Sequence, residues 1–209
     1  MDIIQQDTSE LEAFIAQHCG DGAYLRHCPD SVREAISDFE RTFNSETTLF
    51  DVKNLDRKCR DSIPAEFREL FLMKILYYVV TITNRILPED AYESRLLLEK
   101  LKHPEEEDEE ENGWAEGAKT ALQRAFIFLD NMEADPEPGS AFQRLYDHYY
   151  GTFREMCKEA DIFIITKAEL EQLQQKSGER KKERKKKWII AGIIFIIGFH
   201  LVKYIIGLF

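Results

Sequence analysis

The sequence predicts an all-α fold: a helical bundle of about six to seven helices around an apolar central helix, followed by a C-terminal transmembrane helix. Three observations predict it. Apolar residues recur at spacings of three and four through most of the chain, the period of one helix face. No region strings together short alternating segments joined by hairpin turns, the run IFIIT at 162–166 being the one strand-like stretch. Finally, residues 188–209 read WIIAGIIFIIGFHLVKYIIGLF, with His200 and Lys203 as the ionisable interruptions.

Each element has its own justification. Ser9 precedes Leu11, Phe14, Ile15 and His18, an amphipathic helix that CGDG at 19–22 stops. Asp30 or Ser31 is placed to cap a second helix, whose stripe is Val32, Ala35, Ile36, Phe39 and Phe43. A short third helix carries Leu49, Val52, Leu55 and Cys59 and must end near Pro64. Pro64 suits the start of the next helix, since its fixed φ is helical and its missing donor costs little there.

That next helix, expected over 65–87, has Lys74 as the one charge between Leu70 and Val80. A helix apolar nearly all round needs neighbours on most sides, so it is placed at the centre; Lys74, Asn84 and Arg85 argue against its being a second membrane span. Pro88 opens a fifth helix with Ala91, Tyr92, Leu96 and Leu97 facing inward, ending at His103 and Pro104. Seven consecutive acids at 105–111 repel one another and predict a solvated acidic loop over 104–112. A sixth helix is expected from Trp114 to Met132 through Leu122, Ala125, Phe126 and Leu129, broken by ADPEPGS at 134–140. A long last helix is expected from Phe142 to Gln175 through Leu145, Tyr149, Phe153 and Met156.

Charge divides the chain into three. Of the 28 basic residues, seven fall in RKKERKKK at 180–187, leaving 20 basic against 37 acidic residues in 1–178, a net of −17. The expected organisation is a cytosolic acidic helical domain over 1–178, a polybasic juxtamembrane neck over 179–187 and an anchor over 188–209. An acidic body repels phosphate polyanions, so no nucleic-acid partner is expected. At about 1.5 Å per residue the 22 apolar-rich residues reach roughly 33 Å, enough for a hydrocarbon core of about 30 Å.

The cations before Trp188 place the body on the cytosolic side by the positive-inside bias, and the N-terminus MDIIQQDTSELE lacks the pattern of a secretory signal. The expected partners are therefore the lipid bilayer, anionic lipid headgroups and a cytosolic protein. Arg184, Lys185, Lys186 and Lys187 are the expected headgroup contacts and Trp188 the interface anchor. His200 and Lys203 share one helical face inside the span, for a polar contact with another membrane helix or for snorkelling of the lysine. The Ile-rich span with little positive charge after it suits the endoplasmic reticulum better than the outer mitochondrial membrane.

Chemistry-bearing patterns are sparse, and no enzyme activity or cofactor is expected. His18-Cys19 and His27-Cys28 supply four zinc-type ligands, though adjacent residues are awkward joint ligands. Asp147, His148 and Tyr149 point around a helix and do not converge; Glu99 and His103 lack the second pair of a di-metal bundle. Phosphate-loop, dinucleotide and HExxH patterns are missing. Pro136, Pro138 and Gly139 interrupt the heptad helix that a vesicle-fusion protein would need. The function expected is a tail-anchored adaptor or membrane-organising factor.

The combination of helical bundle, apolar central helix and C-terminal anchor resembles the Bcl-2 family of cell-death regulators across most of the chain. Its motifs are departed from: ENGWAEG at 111–117 holds an Asn and a Trp in another arrangement, CGDG at 19–22 has Ala16 where a Leu belongs, and Val52, Leu55, Cys59, Asp61 and Ile63 match the death motif in part. The resemblance implies a groove for helical death-motif peptides and carries no site residue over.

Overall fold

A computed structural model describes residues 2–19, 22–102, 109–132 and 137–174. The chain forms two units, Met1–Ile164 and Ile165–Phe209. Among the described residues the secondary structure is helical throughout, with no strand.

In the first unit, α1 spans Ser9–Cys19, α2 Asp30–Thr42, α3 Leu49–Cys59, α4 Arg68–Asn84, α5 Ala91–Lys102, α6 Glu109–Asp130 and α7 Ala141–Glu159, with short 3-10 turns at Ala23–His27, Arg60–Ser62 and Ala65–Phe67. Helix α4 packs against α1, α3, α6 and α7. Eleven of its 17 residues are buried, from Phe71 to Thr83, and each large aliphatic among them contributes about 1.5–3 kcal/mol by leaving water. The predicted α6 stripe is also in place, with Leu122, Ala125, Phe126 and Leu129 all at 0% exposure.

The structure corrects several expectations. Helix α4 is shorter than 65–87, because the residues after Pro64 form a 3-10 turn first and the chain turns again at Arg85. Among the described residues no helix is long and apolar enough to cross a membrane, and the expected span over 188–209 lies outside them. Neither Asp30 nor Ser31 caps α2: Pro29 holds the cap position without a side-chain hydrogen bond, and Asp30 pairs with Arg33 instead. Helix α5 is rotated from its expected phase. Ser94 and Leu97 are buried while Ala91 is exposed, Tyr92 is 70% exposed and Leu96 40%. Helix α6 begins at Glu109, inside the acidic run. Acidic residues are favoured in a helix's first turn, so this stretch starts a helix rather than ending a loop; 103–108 lie outside the described residues.

The largest correction is that the last helix does not run through to Gln175. It stops at Glu159, with Asp161 at φ +52°. The Ile162 amide reaches the Cys157 carbonyl at 2.8 Å and the Asp161 amide the Lys158 carbonyl at 3.1 Å, the paired bonds of a Schellman cap with buried Ile162 as its apolar plug. Sequence reading passed over it because the left-handed position holds Asp rather than Gly. Asp161→Gly should therefore raise stability by about 0.5–1 kcal/mol, read as an increase in melting temperature. Residues 162–166, the strand-like run, form neither helix nor strand.

The cap of α3 is a further signature that the sequence reading did not use. Thr48 and Asp51 form a reciprocal capping box at the start of α3. The hydrogen bonds from Thr48 hold the Asp51 carboxyl below its usual range. A depressed acid stabilises the fold above its unfolded pKa of about 4, and that contribution is lost as pH falls through the folded value. Thr48→Ala should cost about 1 kcal/mol at neutral pH and flatten the acid limb of a stability-versus-pH curve.

In the second unit, residues 167–174 are helical and exposed. Thr166 and Glu169 cap the helix reciprocally, the Thr166 amide donating to the Glu169 carboxylate at 2.9 Å and the Glu169 amide to the Thr166 hydroxyl at 3.2 Å.

Candidate protein-interaction site

The sequence-predicted tethering residues Arg184, Lys185, Lys186, Lys187, Trp188, His200 and Lys203 lie outside the described residues. The other sequence candidates do not converge. His18 and His27 face solvent, their rings 4.5 Å from Phe14 and 5.1 Å from Phe67, whereas Cys19 and Cys28 point into the core. His148 is exposed on α7, its ring edge-on to Tyr149 at 5.0 Å. Val52, Leu55, Cys59 and Ile63, the partial death-motif match, are buried in the body's own core.

Burial shapes the ionisable interior. All four cysteines are buried and unbridged; desolvation pushes Cys28 and Cys59 up and Cys157 up to about 12. Thiols so placed hold little thiolate at neutral pH and are poor nucleophiles. Dithionitrobenzoate should leave Cys59 and Cys157 untouched in native buffer and titrate them rapidly in denaturant. Desolvation likewise raises Tyr24 and Tyr78, and pushes Tyr146, Tyr149 and Tyr150 up to about 12. For such groups the stability is full below the unfolded phenol pKa of about 10 and is lost as pH rises through the folded value, so alkaline unfolding should set in between pH 10 and 12 together with phenolate absorbance.

Two polar arrangements stand out within the body. In the first, Lys74 on α4, only 8% exposed, pairs with Glu40 on α2, and its ammonium lies 5.3 Å from the centroid of the Tyr24 ring. The Glu40 charge also bears on the Tyr78 hydroxyl. What the cluster does is fasten α2 onto the central helix.

The second is a non-helical strap, residues 2–8, lying across the end of α4, the start of α5 and the side of α7. The Ile3 side chain is fully buried and its amide donates to the Ser94 hydroxyl at 2.7 Å. The Gln5 amide donates to the Pro88 carbonyl at 2.8 Å. The Asn84 side-chain amide reads both backbone groups of Gln6, accepting from its N–H at 2.8 Å and donating to its carbonyl at 2.7 Å. The Tyr149 hydroxyl donates to the Asp7 carbonyl at 2.5 Å. Residues 4–6 are half-buried and Asp2 and Asp7 exposed. The groove therefore holds main-chain groups, one aliphatic side chain and the Gln5 carboxamide, which donates to the Leu87 carbonyl at 3.2 Å. Sequence reading missed it because nothing in MDIIQQDT is periodic and its partners lie 78 or more residues away.

Comparisons of the chain with protein-family models, curated proteins and solved structures give no match.

Proposed function

We propose that this protein is a membrane-tethered helical adaptor whose acidic body faces the cytosol and recruits a protein partner. One observation carries the reading: seven cations at 180–187 directly precede a 22-residue apolar run at 188–209, the pattern of a cytosolic collar on a membrane span. Lys185, Lys186 and Lys187 contact anionic headgroups and Trp188 sits at the interface, with His200 and Lys203 inside the bilayer. The endoplasmic reticulum is the proposed membrane.

Protease protection tests the arrangement. In sealed cytosol-side-out microsomes, added protease should digest the body and leave a membrane-embedded fragment containing 188–209. A body protected until detergent is added refutes the orientation, and proximity labelling that marks no repeatable cytosolic protein refutes the adaptor role.

A further inference from the structure

We infer that the body has its own shallow membrane contact: a face formed by α6 and the segment after α7, from which Phe163 and Ile127 enter the headgroup region of the bilayer that tethers the chain. The inference rests on the tethering proposed above. Phe163 is 76% exposed and Ile127 44%. The two belong to one surface, because Gln123 stands one turn before Ile127 on α6 and its side-chain amide donates to the Phe163 carbonyl at 3.0 Å. Phe163 is also held outward. Ile162 before it is 5% exposed and plugs the α7 cap, and Ile164 after it packs against the core, so the ring cannot turn inward without unseating its neighbours.

Area and position select lipid over protein. Two side chains offer far less than the roughly 800 Å² per partner that a stable protein interface buries, but an aromatic ring and an aliphatic chain suit the boundary between headgroups and acyl chains. Phe163 precedes Trp188 by 25 residues, against 96 for Tyr92 and 138 for Phe50, the other two aromatics exposed by more than two thirds. Even fully extended, at about 3.4 Å per residue, that stretch keeps the face within roughly 85 Å of the span. A tether this short makes a contact that is too weak to hold a free chain on a bilayer. Charge permits the approach. The stretches that frame the face, 116–130 and 154–161, hold four cations against five acids, a net of −1, whereas residues 1–178 carry −17. The contact is therefore apolar in origin and needs no anionic lipid.

The test uses the full chain reconstituted in phosphatidylcholine vesicles, with and without bromine on the acyl chains. Phe163→Trp is combined with Trp114→Phe and Trp188→Phe, so that the one indole reports from position 163. Brominated lipid should quench its emission at least twofold, and its maximum should lie well to the blue of an indole in water. Phe50→Trp on the same background should be quenched little. Adding Ile127→Asp to the Phe163→Trp chain should remove most of the quenching, and raising the salt concentration should leave it unchanged.

Equal quenching at positions 50 and 163, quenching that survives Ile127→Asp, or quenching confined to anionic lipid overturns the proposal. Quenching that vanishes when each nanodisc holds a single copy would make a second chain the occupant and likewise overturns it. If the tryptophan variants do not fold, hydroxyl-radical footprinting of the unaltered chain in vesicles decides: Phe163, the more exposed of the two in the fold, should be oxidised several-fold less than Phe50, and equal rates refute the contact. Failure of the tethering reading is distinct. A chain that does not float with the vesicles refutes the tether and this contact with it, whereas one that floats with position 163 in water refutes the contact alone.

Discussion

Removing residues 188–209 should move the protein from the carbonate-resistant membrane pellet to the supernatant, with the body's helical circular dichroism unchanged. The deleted run has two ionisable residues among 22, and each buried methylene contributes about 0.8 kcal/mol to lipid partition, so on the proposed tethering a span of this composition would dominate the chain's hold on a membrane. The seven cations at 180–187 would then be the sole remaining lipid-binding element. At about 1 kcal/mol each near an anionic surface, they should give salt-reversible association with anionic vesicles and none with neutral ones. A truncated chain that stays in the pellet through carbonate and high salt would refute the span. Reversing Lys185, Lys186 and Lys187 to Glu in the intact chain separates the two contributions, because it should disturb topology while leaving carbonate resistance in place.

Replacing Glu40 by Ala should destabilise the body by about 2–3 kcal/mol, the largest single-residue polar effect expected in it. The loss leaves the Lys74 ammonium, whose side chain is 10% exposed, without its carboxylate. The figure sits at the lower end for a broken buried pair because the Glu40 side chain is 34% exposed and water already screens it. Lys74→Met on the same background should recover most of the stability, since Met fills the lysine stem's volume without a charge. Urea unfolding of the single and double variants checks both statements. A Glu40→Ala chain as stable as the parent would show that Lys74 reaches water unaided.

How much of the molecule was legible beforehand depends on which force set each part. The stripes of α2, α3, α6 and α7 could be read because their phase follows from apolar residues alone, and Leu122, Phe126, Tyr149 and Phe153 are all buried as their spacing predicts. The phase of α5 could not. Leu96, Leu97 and Leu98 are consecutive, so spacing gives no choice among three faces; the structure turns Leu97 inward with Ser94 three residues before it. A serine on a buried face looks wrong until its hydroxyl is seen to accept the Ile3 amide, 91 residues away in the chain. The break after Glu159 was hidden in the same way, by an aspartate in the position where glycine usually announces a cap.

The candidate groove lay further still from what a sequence displays. Asn84 reads as an ordinary helix-end residue and Gln6 as part of an aperiodic lead-in. Only when α4 and the strap meet does one side-chain amide pair with both main-chain groups of Gln6.

By itself the sequence determined the helical class, the apolar central segment, the acidic body and the cationic collar before an apolar run, because those are properties of composition and period that any single helix expresses locally. The tertiary structure decided the face of α5, the stop after α7, the Lys74–Glu40 fastening and the backbone-gripping groove. Each of those depends on a polar group finding its partner across the fold, and a hydrogen bond or ion pair between distant residues leaves no periodic trace in the chain that makes it.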